Sequence, residues 1–193
     1  VLSGSYHVHV LDLEETDTFF LADENTHLKI VSHNCFPAGT LIMLADGSEK
    51  PIEEIKAGDK LISMDIESSE KGESTVGSVK SSQVSKLVKL TFNNGHLTST
   101  PLHRICVGEK GWTTIQNVNV GDTIVSTYGD EFVVENVEII EEETTVYRLD
   151  DVADSYNYFA NGALVHNWKC FTYDSLVEMF DGTFKPIGEI VKG

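Results

Sequence analysis

The sequence predicts an all-β fold with little helix, and three observations carry that prediction. Short runs rich in Val, Ile, Leu, Thr and Phe recur roughly every 8–12 residues with turn signals between them, the spacing of a sandwich or barrel-like fold. Asn-Gly, the strongest short hairpin signal, stands at Asn94-Gly95 and again at Asn161-Gly162. Only Ile52-Glu53-Glu54-Ile55 reads as helical, a single turn behind Pro51, whose fixed φ suits a first helical position.

The elements follow in order. Leu41-Ile42-Met43-Leu44 reads as a strand running into the turn Ala45-Asp46-Gly47-Ser48. Ala57-Gly58-Asp59 ends the helical turn. Residues 65–82 are polar, rich in Ser, Glu, Lys and Gly and poorly patterned, which predicts a mobile loop. Val84 to Phe92 alternates into the turn Asn93-Asn94-Gly95-His96. Arg104-Ile105-Cys106-Val107 and Trp112-Thr113-Thr114 read as strands. Asn119-Val120-Gly121-Asp122 repeats the Gly-Asp lettering of residues 58–59 before another strand. Phe132 to Ile140 is a long extended run. Val146-Tyr147-Arg148-Leu149 and Tyr158-Phe159-Ala160 flank the last hairpin, where Asn161-Gly162 turns the chain into Ala163-Leu164-Val165-His166-Asn167.

Two stretches are copies of each other. Residues 35–58 and 170–193, both opening on Cys-Phe, are identical at 11 of 24 positions without a gap. Chance identity at average composition is only about 6%, so this is an internal repeat. His33-Asn34 directly precedes Cys35, and His166-Asn167 stands two residues before Cys170. The N-terminal segment also answers the end of the central one: His9-Val10-Leu11-Asp12 matches Tyr147-Arg148-Leu149-Asp150, and Thr18-Phe19-Phe20 matches Asn157-Tyr158-Phe159. The chain therefore reads as a tail (1–34), a complete unit (35–167) and the head of a further unit (168–193), in tandem. Neither flank carries enough chain to bury a core alone. They are expected to be mobile or to borrow strand pairing, from the central unit or from each other.

The formal charge of −17, from 31 acidic and 14 basic residues, repels phosphate backbones and argues against nucleic-acid binding. No apolar run approaches the ~18 residues of a membrane span, and Val1 is not followed by a signal-peptide pattern. Neither a membrane partner nor a localisation follows from the sequence. Three cysteines make no disulfide framework. Cys106, without a repeat partner, reads as a buried inert thiol. His7 and His9 share a strand face but lack a third ligand, so an ordinary sheet surface is the better reading and no metal or other cofactor is expected.

The chemistry stands at the borders. A Cys thiol lies where attack on the preceding carbonyl closes a five-membered ring, which opens to a thioester. Proximity of this kind supplies about 7–11 kcal/mol of a barrier. A free Cys, with a pKa of about 8.5, still needs activation. The leaving nitrogen also needs a proton, a task for a His. An Asn side-chain amide can attack its own backbone carbonyl in the matching reaction, forming a succinimide and cutting the chain after Asn.

Four stretches in order make the central unit resemble a Hint domain, the fold shared by inteins, bacterial intein-like domains and the autoprocessing part of hedgehog proteins. Cys35-Phe36-Pro37-Ala38-Gly39-Thr40-Leu41-Ile42, with Gly47, Pro51 to Ile55 and Gly58-Asp59, is similar to the family's N-terminal block. Thr100-Pro101-Leu102-His103 resembles its Thr-x-x-His block, Val146 to Tyr158-Phe159 its penultimate block, and Asn161 to Asn167 its ending. The resemblance implies a horseshoe-like fold with pseudo-two-fold symmetry and autocatalytic processing of the protein's own flanking segments. By the same resemblance Cys35 is the nucleophile of an N–S acyl shift at Asn34–Cys35. His103 protonates or polarises that amide, Thr100 hydrogen-bonds near its carbonyl, and Asn167 cyclises with help from His166. A monomer suffices for such chemistry.

Departures from the family pattern matter. Arg148 stands where many members have Asp, and Tyr156 aligns with a His that assists the C-terminal step, so Tyr156 and Arg148 are the candidate assisting residues. Trp168 follows Asn167 where a splicing acceptor would need a thiol or hydroxyl; Cys170 is the candidate displaced acceptor. Cleavage at one or both ends is therefore expected over splicing. From His103 to Val146 there is no room for an endonuclease domain. The competing function is a catalytically vestigial tandem β-domain with a structural or binding role.

Overall fold

The computed structural model describes residues 20–22, 30–31, 34–66, 68–129, 132–150, 152, 156–167, 176–178, 183–186 and 189. His7, His9, Trp168 and Cys170 lie outside these described residues. The chain divides into two units, one spanning His33–Trp168 and one made of Val1–Ser32 together with Lys169–Gly193.

In the second of these units, β1 (Phe20–Ala22) and β2 (Ile30–Val31) belong to the N-terminal flank. The central unit begins with β3 (Phe36–Pro37), β4 (Leu41–Met43) and β5 (Glu49–Pro51). Next come β6 (Lys60–Met64), β7 (Lys71–Thr75), β8 (Ser78–Val84), β9 (Leu87–Phe92) and β10 (Gly95–Ser99). They are followed by β11 (Arg104–Val107), β12 (Gly111–Thr114), β13 (Thr123–Ile124) and β14 (Phe132–Ile140). β15 (Thr144–Asp150), β16 (Asn157–Ala160) and β17 (Ala163–His166) complete it. β18 (Leu176–Glu178) and β19 (Phe184–Pro186) belong to the C-terminal flank.

Among its described residues the central unit is mostly β. Its largest sheet runs β10-β9-β14-β13-β11-β17-β16-β4-β5, with β12 beside β11. Smaller sheets are β3-β15-β8 and β6-β7. Alternation sets the faces: β6 buries Leu61 and Ser63 between more exposed neighbours, and β9 buries Val88, Leu90 and Phe92 while Lys89 and Thr91 between them stay partly exposed. Phe36, Ile42, Ile52, Leu90, Ile105, Leu149 and Tyr158 share one core. Each fully buried Leu or Ile contributes about 1.5–3 kcal/mol relative to exposure.

The expected Asn161-Gly162 hairpin is present. Both residues adopt positive φ, 46° and 77°, as a two-residue turn between right-twisted strands requires. Phe159 pairs with Leu164 and Ala160 with Ala163 across it. The expected helical turn is a 3-10 turn at Ile52–Glu54, and a second one stands at Ile115–Asn117.

The loop expected over residues 65–82 is instead largely strand. β7 pairs with β6 over five positions, and β8 pairs with β15 over seven, Ser78↔Asp150 through Val84↔Thr144. Its polar lettering misleads because the backbone ladder holds this segment, while many of its side chains face water.

The two 3-10 turns expose the pseudo-two-fold. Ile52 N–H donates to Thr40 C=O, Gly58 N–H to Val76 C=O and Val76 N–H to Asp59 C=O. In the second half, Ile115 N–H donates to His103 C=O, Gly121 N–H to Val134 C=O and Val134 N–H to Asp122 C=O. Asp59 accepts from Lys56 N–H and Lys50 Nζ, as Asp122 does from Asn119 N–H and Lys110 Nζ. The two Gly-Asp pairs noted in the sequence are thus one loop built twice.

In the flanking unit the strands form a sheet of order β19-β18-β1-β2. Of the alternatives the sequence left open for the flanks, pairing with each other is the one present among the described residues.

Candidate active site

Thr-x-x-His is a turn before it is a motif. Thr100 follows β10, Pro101 supplies the preset φ that turns favour at their second position, and His103 N–H closes the turn onto Thr100 C=O at 3.0 Å. The turn delivers Thr100 and His103 to one place at the head of β11.

Cys35 docks on it. Cys35 N–H donates to Thr100 Oγ1 at 3.1 Å, and Thr100 N–H donates back to Cys35 C=O at 3.0 Å. Phe36 and Pro37 then pair with Tyr147 and Val146 of β15, fixing the strand that leads away. Cys35 is 1% exposed and Asn34 6%, so the peptide between them is inside the domain. The hydroxyl of Thr100 accepts from the nitrogen of that peptide.

The His103 ring is buried and lies 4.2 Å from the Phe36 ring, centroid to centroid, tilted by 45°. Burial lowers its pKa to about 3, and nearby His166 adds to the shift, against an opposing pull from the Cys35 backbone. Neither ring nitrogen closes a well-formed hydrogen bond among the described residues. At neutral pH His103 is a neutral imidazole.

β17 brings the other border in. His166 pairs across the sheet with Arg104 on one side and Asn157 on the other. Its ring stands edge-on to Trp112 at 4.6 Å. Burial, then the charge of Arg104, lowers its pKa to about 4. Half-buried Asn167 is anchored by its N–H to Tyr156 C=O at 2.8 Å. Tyr156 holds a φ of 53° with its side chain 47% exposed. Cys35, Thr100, His103 and His166 therefore meet at residues 100–104, and Asn167 follows His166 along the chain.

Arg148 is buried and ion-paired with Asp150, two residues along the same strand face, while Lys80 approaches the same carboxylate at 3.6 Å. The departure at Arg148 thus comes with its own counter-charge.

The sequence reading missed Tyr158. Its ring belongs to the core, and its hydroxyl is buried with no hydrogen-bond partner among the described residues. Burial, then Cys35, then Asp150 push the phenol's pKa up, so it stays protonated. Of the two groups that add to this shift, Cys35 is remote in sequence and Asp150 lies on the preceding strand; the available signal was only a Tyr in a short hairpin strand. Cys106, packed among Met43, Phe159 and Leu164, is buried away from this chemistry, and burial raises its pKa.

Comparison with known proteins agrees with the geometry. Residues 41–171 match the family described as the Pretoxin HINT domain. The solved bacterial intein-like domain from Clostridium thermocellum is 32% identical, covering 70% of this chain and 100% of that one, with a TM-score of 0.63. A DnaB intein from Synechocystis sp. shares 19% identity over 70% of this chain and 99% of that one, TM-score 0.60. The DnaX mini intein from Spirulina platensis shares 23% over 69% and 99%, also at 0.60. These last two likenesses are of fold. No curated protein matches the chain.

Proposed function

Because the chain belongs to the Pretoxin HINT domain family, we propose that it is a single-turnover self-processing domain whose substrate is its own flanking polypeptide. The N-terminal step is an N–S acyl shift at Asn34–Cys35. Neutral His103 accepts the Cys35 thiol proton as sulfur adds to the Asn34 carbonyl. The C–N bond then breaks, and the proton passes to the leaving amine beside Thr100 Oγ1, giving a thioester and a free Cys35 amino group. Tyr158, held protonated, is a donor for the developing negative charge. At the other end the Asn167 side-chain nitrogen attacks its own carbonyl, the Asn167–Trp168 bond breaks, and a succinimide remains. His166 assists as a neutral imidazole. Water or an added thiol intercepts the thioester, so cleavage dominates over splicing.

The observation that supports this reading best is the reciprocal hydrogen bonding of Cys35 and Thr100, which puts the peptide nitrogen to be released on the Thr100–His103 turn. Intact and fragment mass spectrometry of wild type, Cys35→Ala and Asn167→Ala tests it. Wild type with dithiothreitol should release the N-terminal fragment, Cys35→Ala should not, and Asn167→Ala should lose only the C-terminal cut. An uncut wild-type chain under all conditions would leave the structural or binding role instead.

A further inference from the structure

The described strands of the flanking unit repeat pairings of the central unit. In the centre, β16 and β17 pair as Phe159↔Leu164 and Ala160↔Ala163. In the flank, β1 and β2 pair as Phe20↔Val31 and Leu21↔Ile30. The sequence match that sets Phe20 on Phe159, and the one that sets His33-Asn34 on His166-Asn167, turn the first set of pairs into the second. The central β4 and β5 pair as Leu41↔Pro51, Ile42↔Lys50 and Met43↔Glu49. β18 and β19 pair as Leu176↔Pro186, Val177↔Lys185 and Glu178↔Phe184, each position shifted by the same 135 residues as the sequence repeat.

The joint between the two hairpins is repeated as well. In the centre it is Ala160↔Ile42, between the last block of the unit and its first. In the flank it is Leu21↔Val177, and those are the residues that correspond to Ala160 and Ile42. A slip of one residue would turn every side chain of a strand to the other face, so agreement at three interfaces fixes a common register.

We propose that the N-terminal tail and the C-terminal head are the closing and opening halves of a second Hint-type sheet, which complete one another, and that this pairing keeps the two flanks associated once the central unit's ends are cut. A two-stranded hairpin is marginal alone, and each of these hairpins leaves an edge that the other fills. Main-chain hydrogen bonds carry the joint, and its occupant is this chain's own C-terminal head. The flanks then leave the reaction as a non-covalent pair and not as separate peptides.

The retention rests on the proposed cleavage; the pairing does not, and two measurements separate them. In a full chain silenced by Cys35→Ala and Asn167→Ala, with Cys170→Ser, introduce Leu21→Cys and Val177→Cys. Directly opposed residues in an antiparallel pair lie within disulfide range. Oxidation should give a cross-linked monomer at least about tenfold faster than in a Leu21→Cys/Lys185→Cys chain, whose positions lie two strands apart, beyond the roughly 7 Å limit. Cross-linked dimers specific to the first pair would support the same joint formed between copies. Equal rates, or no cross-link, would overturn the proposal. In the cleaving wild-type chain the two flank fragments should then co-elute on a sizing column. Cleavage with the fragments eluting apart would overturn retention, whereas absence of cleavage would sink the processing function and leave the cross-link result standing.

Discussion

His103 and His166 are held below the pKa of about 6.5 they have when unfolded, at about 3 and about 4. The fold therefore favours their neutral forms. Their contribution to stability is complete above about pH 6.5 and is lost as pH falls through 4 and then 3, because the unfolded chain binds protons that the native one refuses. A urea midpoint followed from pH 7 to pH 4 should fall, and His103→Gln should flatten that fall; an unchanged slope would show that His103 is not the buried neutral group. Tyr158 allows a cleaner separation of chemistry from packing. Its hydroxyl has no partner to lose among the described residues, so Tyr158→Phe should leave stability within about 1 kcal/mol of wild type or raise it. Thiol-induced cleavage should slow by about tenfold or more if the phenol donates during the acyl shift. A rate equal to wild type would remove Tyr158 from the mechanism.

Asn157 shows how a strand is tied to its neighbour by a side chain. Its Oδ1 accepts from Met64 N–H and its Nδ2 donates to Met64 C=O, both at 2.9 Å, imitating a rung between β16 and β6. Asn157→Ala leaves both Met64 groups part-buried and unpaired, with an expected loss of about 2–4 kcal/mol, read as a lower urea midpoint at unchanged m-value. At the hairpin, Gly162 has a φ of 77°, and an added Cβ would stand 3.1 Å from Phe132, so Gly162→Ala should cost about 1–3 kcal/mol from strain and overlap together. Elements written in local chemistry were legible in the sequence. Asn161-Gly162 dictates its own turn, and Thr100-Pro101-Leu102-His103 brings its first and last residues together through one backbone bond. The strands at 71–75 and 78–84 were not, since what orders them is a ladder to partners as remote as residues 144–150. Tyr158 was hidden for a related reason: Cys35, which bears on its phenol, stands at the opposite end of the unit's sequence.

At the scale of the whole molecule the sequence disclosed the repeat and the two borders, because identity at a fixed offset needs no structure to be seen. It did not disclose which partner the flanks would choose. Identical registers in the two units follow from long-range pairing, which composition cannot report. The same scale governs the outcome of processing. Trp168 offers no nucleophile to receive the thioester, so Trp168→Cys should raise the ligated 1–34/168–193 product from a trace to a substantial fraction by mass spectrometry. Efficient ligation already in wild type, undiminished by Cys170→Ala, would contradict the acceptor argument.

Residues 100–104 receive the chain as it enters at Cys35, through Thr100, and again as it leaves at His166, through Arg104. Entry and exit are therefore neighbours. A chain that carries this unit in its middle has both interrupted ends held at one five-residue segment, and the entropic cost of closing a flexible loop grows only with the logarithm of its length. Set into a surface loop of an unrelated protein, the unit should therefore leave that protein's own elements in place.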